Sequence, residues 1–341
     1  MIRENIRIAI DPADAKGEAL FVTATIVAPD REALSPSPIV WFGWPGGGYN
    51  RRYFDLELPG HEGYSEAEYH ASRGSVFVAC DHIGVGDSAI PQGAFGHSDT
   101  ARVNAAAARA IIAQLITGEV HAGLPPLPGL FAVGMGQSYG GLLLTHLQAE
   151  HGLFKGVAML GWSGICTQVK DPSTASEVPR PAGLGTDDLD NGLHHPYRRA
   201  FHFDDVPEAI VAEDMRGYPA RTGLPVPAWA TIHMPGGPNF APERGPLGPG
   251  VVVEEAAGIE VPIFIGNGVI DTTAAPRAEP TAYARSSDIT TMILPDAAHM
   301  HNFAGTRELL WCRLENWARG LQEAADVAAR LAIHQTAHEG P

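Results

Sequence analysis

The chain has 341 residues, 45% hydrophobic and 18% charged, with a formal charge of −16. That balance excludes a disordered chain, and the acidity, with no Lys/Arg cluster to offset it, argues against nucleic acid and anionic membranes and suits a neutral or cationic small molecule. Cys80, Cys166 and Cys312 lack a disulfide or metal spacing, Met1 to Ala19 lacks a signal-like apolar stretch, and no segment supplies the roughly 18 uncharged apolar residues of a membrane span, so a cytoplasmic protein is expected.

Short runs rich in Val, Ile and Phe, each bounded by Gly, Pro or Asp, predict strands at Leu20–Val27, Ile39–Gly43, Ser75–Cys80, Leu130–Gly134, Gly156–Gly161, Pro262–Gly266 and Ile289–Leu294. Helical patterns fall between several of them, at Ala101–Thr117 and Tyr139–Glu150, and a long apolar stripe follows from Thr306 to Leu331. Alternation of strand and helix predicts an α/β fold with a mostly parallel central sheet flanked by helices. The alternation breaks from about Ser163 to Gly250, which holds thirteen of the 28 prolines. We read 1–163 and 251–341 as the core domain and 164–250 as an inserted lid, with one short helix near Asp204–Met215. Tyr197, Trp229 and Phe240 in this insertion are candidates for lining an apolar substrate pocket, or equally for packing the lid itself. His194, His195, His202, Asp204 and Asp205 lie close together there, at a spacing that matches no metal site, and read as surface polar residues.

One strand runs into Gly134-Met135-Gly136-Gln137-Ser138-Tyr139-Gly140-Gly141, and a helix follows at once. A nucleophile on so sharp a turn needs neighbours without side chains two positions before and after it, and Gly136 and Gly140 meet that need. In a chain with 39 glycines the alternative is a plain strand-to-helix turn. A serine hydroxyl needs a base to take its proton, and the base needs a carboxylate to fix its tautomer. Downstream, Asp271 follows the Pro262–Gly266 strand, just before an expected helix, and His299 and His301 follow the next strand. Asp171 is the reserve acid.

With its Gly-x-Ser-x-Gly turn and these downstream partners, the chain resembles the α/β-hydrolase family over about 20–161 and 261–319, leaving the lid uncovered. The resemblance implies a triad in the order nucleophile, acid, histidine: Ser138, Asp271 and His299. His299 is preferred because Ala297 and Ala298 precede it, similar to the small residues before the family's histidine. That leaves His301 as a substrate contact or a group behind the triad, a two-histidine pair being weak evidence for a metal. The loop Phe42-Gly43-Trp44-Pro45-Gly46-Gly47-Gly48-Tyr49 resembles the HGGPGGG loop of proline-iminopeptidase-like members, with Phe42 and Trp44 departing from it. By that likeness the amides of Trp44 and Tyr139 form the oxyanion hole, with Gly46 or Gly47 as alternatives to Trp44 and as substrate contacts. Asp81-His82-Ile83-Gly84-Val85-Gly86-Asp87-Ser88 resembles the family's DxxGxGxS loop, which braces the active-site region. The expectation is hydrolysis of a carboxylic ester or lactone, bulky and largely apolar, with no metal or organic cofactor. The same triad also serves peptidases, carbon–carbon hydrolases and acyltransferases, and a non-catalytic binding protein on this fold is a further alternative. A homo-oligomer is left open.

Overall fold

A computed structural model of the chain describes residues 1–93, 95–120, 123–167, 200–215, 250–273 and 275–338. Eight strands form one sheet: β1 (Ile2–Ile10), β2 (Leu20–Ala28), β3 (Ile39–Trp44), β4 (Val76–Cys80), β5 (Phe131–Gln137), β6 (Val157–Leu160), β7 (Ile263–Gly268) and β8 (Ile289–Leu294). They lie in the order β1-β2-β4-β3-β5-β6-β7-β8. β1 and β2 join antiparallel, β2 meets β4 antiparallel, and the remaining six strands run parallel. The helices are α1 (Glu66–Ala71), α2 (His97–Thr117), α3 (Tyr139–His151), α4 (Glu208–Met215), α5 (Val253–Gly258) and α6 (Arg307–His338) among the described residues.

Alternation along the strands builds two cores. Val40, Phe42 and Trp44 of β3 and Val76, Val78 and Cys80 of β4 enter one apolar cluster with residues of α2, α3 and α5. Ile39, Trp41, Phe77 and Ala79 face the other way, onto α1 and onto Leu310, Trp311, Leu314, Trp317 and Leu321 of α6. Strands covered on both faces read as unbroken apolar runs, which is why the sequence announces them. Each large side chain so buried contributes roughly 1.5–3 kcal/mol.

The differences from the sequence expectation have local causes. β1 went unforeseen because it is an edge strand whose outward residues Arg3, Asn5 and Arg7, with Glu4 on the inner face, dilute the apolar signal of Ile2, Ile6, Ile8 and Ile10. β5 runs three residues past Gly134, so the glycines that read as the start of a turn are extended strand. Asp271 is followed by a turn and the short 3-10 helix Glu279–Ala282 where an α-helix was expected. In α6 the buried stripe stops at Leu321, and Val327 and Leu331 are exposed. No described helix is long and apolar enough to cross a membrane. Of the expected insertion, 164–167, 200–215 and 250 are described, and its short helix is α4.

From β3 the chain moves to β4 on one side and then crosses back to β5 on the other. Loops leaving the carboxyl ends of β3 and β5 therefore diverge, and the crevice between them is where parallel sheets of this kind bind ligands. The glycine-rich loop and Ser138 flank that crevice.

Candidate active site

Ser138 stands between β5 and α3 with φ 52° and ψ −118°, a conformation that costs a non-glycine residue roughly 1–3 kcal/mol. The surroundings hold it there. Its amide donates to Leu160 O at 2.7 Å, and its carbonyl accepts from the Gly141 amide at 2.8 Å. A methyl group on Gly136 would lie 2.4 Å from Gly140 O, and one on Gly140 would lie 2.2 Å from Trp44 O, so neither position admits a side chain without backbone movement.

Asp271 and His299 leave β7 and β8 at the same edge of the sheet, and both are buried. His299 Nδ1 is 2.7 Å from Asp271 Oδ1. The carboxylate can only accept, so Nδ1 carries a proton and Nε2 is the ring nitrogen left for another partner. Gly161, at φ 56°, passes under the imidazole, where a methyl group would lie 2.9 Å from Nδ1. On the opposite side Nε2 is 3.5 Å from Nε2 of Gln137, the residue before Ser138. Gln137 Nε2 also donates to His299 O at 3.1 Å, which ties the histidine loop to the nucleophile turn.

Four contacts of 2.8 Å or less converge on Asp271. Besides His299, the Gly268 amide donates to Oδ2 and the Thr272 amide to Oδ1, each at 2.7 Å, and His301 Nε2 reaches Oδ2 at 2.8 Å. Burial alone would push this carboxyl up. The charge and hydrogen bond of His299, with the bond from His301, outweigh burial and hold it well below the usual carboxylate range. It therefore stays ionised, as orienting an imidazole requires.

His301 is buried behind Asp271 and bonded to it, which places it where the second of its two expected roles, a group behind the triad, would put it. Trp44 ends β3 with its indole in the core, stacked on Phe42 at 6.3 Å, and its carbonyl faces Gly140. Gly46 comes closer to the nucleophile: a methyl group there would lie 3.0 Å from Ser138 Cβ. Gly47 follows in the partly buried turn. Tyr139 opens α3, so its amide belongs to a helix N-terminus, where the dipole favours negative charge. Tyr197, Trp229, Phe240, Asp171, His194 and His195 lie outside the described residues.

His202 differs from the expectation. Expected at the surface, it is buried, with Nε2 2.8 Å from Asp214 Oδ2, while Asp204 and Asp205 are exposed as expected. Asp214 also accepts from the hydroxyl of Tyr49, at 2.8 Å on one oxygen and 2.9 Å on the other. Gln137, Thr272 and Gly161 are further contributors that the sequence did not single out. Gln137 alone carried a signal, as a polar residue inside the turn motif.

No family model matches the sequence, and no curated protein matches it. Solved structures do. Proline iminopeptidase of Mycobacterium smegmatis is 14% identical over 94% of this chain and 100% of its own, with a TM-score of 0.61. The esterase RhEst1 of Rhodococcus sp. ECU1013 has the same identity and coverages and a TM-score of 0.62. The peroxisomal alpha-beta-hydrolase Lpx1 of Saccharomyces cerevisiae is 14% identical over 99% of this chain and 98% of its own, with a TM-score of 0.56. The mostly parallel eight-stranded sheet, the helices on both of its faces and these neighbours agree: the chain has the α/β-hydrolase fold.

Proposed function

We propose that the protein is a serine hydrolase that cleaves a carboxylic ester or lactone through an acyl-enzyme intermediate. The observation that carries this reading is the buried Asp271–His299 pair, whose Nε2 lies beside Gln137, the residue that leads into the strained Ser138 elbow. In the reaction His299 takes the Ser138 proton as Oγ attacks the carbonyl carbon, and Asp271 stabilises the imidazolium formed. The amide of Tyr139 and one from the Trp44–Gly47 stretch meet the oxyanion. Collapse returns the proton from His299 to the leaving alcohol, and water repeats the sequence to release the acid. No cofactor enters these steps.

A bulky, largely apolar substrate fits the aromatic content of residues 164–250. Against an aminopeptidase, Asp214, the buried carboxylate in the described part of that stretch, is engaged by Tyr49 and His202 and not offered to an amine. The test is hydrolysis of p-nitrophenyl esters, aromatic lactones and prolyl amides by wild type and Ser138→Ala. Ester or lactone turnover that vanishes in the variant is expected. Turnover of amides alone would favour the peptidase, and turnover that survives Ser138→Ala would sink the mechanism.

A further inference from the structure

The Asp81–Ser88 loop does nothing in the mechanism above, yet one of its side chains reaches the loop beside the nucleophile. His82 is 2% exposed, and its Nε2 lies 2.9 Å from the carbonyl oxygen of Pro45. Its Nδ1 lies 3.1 Å from Nδ2 of Asn104, a buried residue of α2. Tyr139 sets its ring edge-on to the same imidazole, at 6.0 Å and 80°.

These contacts leave one tautomer. A peptide carbonyl only accepts, so Nε2 must carry a proton. Burial holds the group neutral, with its pKa lowered to about 4, so Nδ1 is a bare lone pair and the Asn104 amide donates to it. The backbone beneath is pinned from both ends. The Asp81 amide donates to Thr23 O at 2.9 Å, the Asp81 carboxylate accepts from the Arg51 amide at 2.7 Å, and Ser88 Oγ accepts from the Thr23 amide at 3.0 Å.

The carbonyl of Pro45 belongs to the same planar unit as the amide of Gly46, and in a trans peptide the two point in opposite directions. Fixing that carbonyl on His82 fixes the direction of the Gly46 amide and the position of Gly46, the loop residue packed against Ser138. We propose that His82 is a positioning residue of the oxyanion hole, holding the Pro45–Gly46 peptide and the loop it belongs to in register with Ser138. This rests on the serine-hydrolase reading, and it gives the bracing loop a specific task.

The experiment compares wild type, His82→Ala and His82→Gln, since glutamine keeps an amide N–H able to reach Pro45 O. For each variant kcat and KM are measured on the best ester, together with Ki for an aryl boronic acid that forms a tetrahedral adduct with the serine. His82→Ala is expected to lower kcat by roughly tenfold to a hundredfold with KM within about threefold, and to weaken the boronic acid in parallel. His82→Gln is expected to recover most of both. A folded His82→Ala variant with unchanged kcat, a change confined to KM, or a glutamine variant no better than alanine would overturn the proposal. Should His82→Ala fail to fold by circular dichroism, Asn104→Leu, which releases the imidazole from its tautomer, is expected to lower kcat several-fold at constant KM, and an unchanged kcat there would also overturn it. Labelling of wild type by a fluorophosphonate, lost in Ser138→Ala, separates the two readings. Without labelling the hydrolase reading falls and takes this one with it; with labelling and indifferent His82 variants, only the role of His82 falls.

Discussion

Gly140→Ala tests whether the nucleophile turn and the oxyanion loop are spaced by the absence of a side chain. The new methyl group would lie 2.2 Å from Trp44 O and 2.8 Å from Pro45 O, and ordinary contact begins at 3.4 Å, so the nearer oxygen must retreat by about 1.2 Å. Both obstacles are backbone atoms of one loop, and neither can swing aside as a flexible side chain would. That loop is held by β3 on one side and by His82 on the other, so the displacement is shared between it and the start of α3. Overpacking of this kind costs roughly 1–3 kcal/mol of stability, and a catalytic group misplaced by about 1 Å costs roughly a hundredfold in rate. The variant is therefore expected to fold, to lose that much stability in urea titrations, and to turn over p-nitrophenyl esters about a hundredfold more slowly. It should still label with a fluorophosphonate, because Ser138, His299 and Asp271 all remain. Undiminished kcat in a stable Gly140→Ala protein would refute the reasoning, since the spacing would then be irrelevant to the reaction.

Removing His299 should cost roughly a thousandfold or more in kcat, while His301→Ala, which withdraws one of the four short hydrogen bonds to Asp271, should cost only about tenfold; equal losses would move the base to His301. Asp271→Asn should reduce kcat by roughly ten-thousandfold, because an amide can leave the imidazole in the wrong tautomer, and a loss under tenfold would remove Asp271 from the triad. Acid should destabilise the protein through His82: the unfolded side chain gains its proton near pH 6.5 and the folded one only near 4, so stability falls as pH drops between them, by on the order of 3 kcal/mol from this group. His70 has the opposite sign. Burial opposes its charge, but hydrogen bonds from its ring to Glu315 and Glu66 raise its pKa, so its contribution is complete below pH 6.5 and is lost as pH rises through the folded value. Urea unfolding of wild type, His82→Gln and His70→Gln at pH 5, 6 and 8 checks both signs, and the two differences should move in opposite directions.

The reach of the sequence followed burial. Strands covered on both faces, such as β3 and β4, announced themselves as continuous apolar runs, whereas β1, wet on one face, did not. Ser138, Asp271 and His299 each follow a strand that the sequence shows, β8 among them although it is an edge strand only partly buried. What stayed hidden depends on pairings across long stretches of chain. Nothing in the order His-Met-His says which imidazole meets Asp271 through Nδ1 and which through Nε2. Nor could composition tell that His202, twelve residues before Asp214, turns inward to share it with Tyr49.

That shared carboxylate bears on how the site is framed. Residues 200–215 touch the site at two places. The amides of His299 and Met300 donate to Ala200 O at 3.0 Å and Phe201 O at 2.9 Å, and the ring of Phe201 packs 5.3 Å from that of His299. Fourteen residues after Ala200, Asp214 grips Tyr49 at the end of the glycine-rich loop. One short segment thus spans His299 and the loop proposed to stabilise the oxyanion, two groups that β3 and β8 place four positions apart in the sheet. The sheet sets where these groups start, and the segment fixes their spacing across the crevice. Because Asp214 is fully buried, losing either partner would leave a buried carboxyl group short of hydrogen bonds, which disfavours any arrangement in which this segment lifts away.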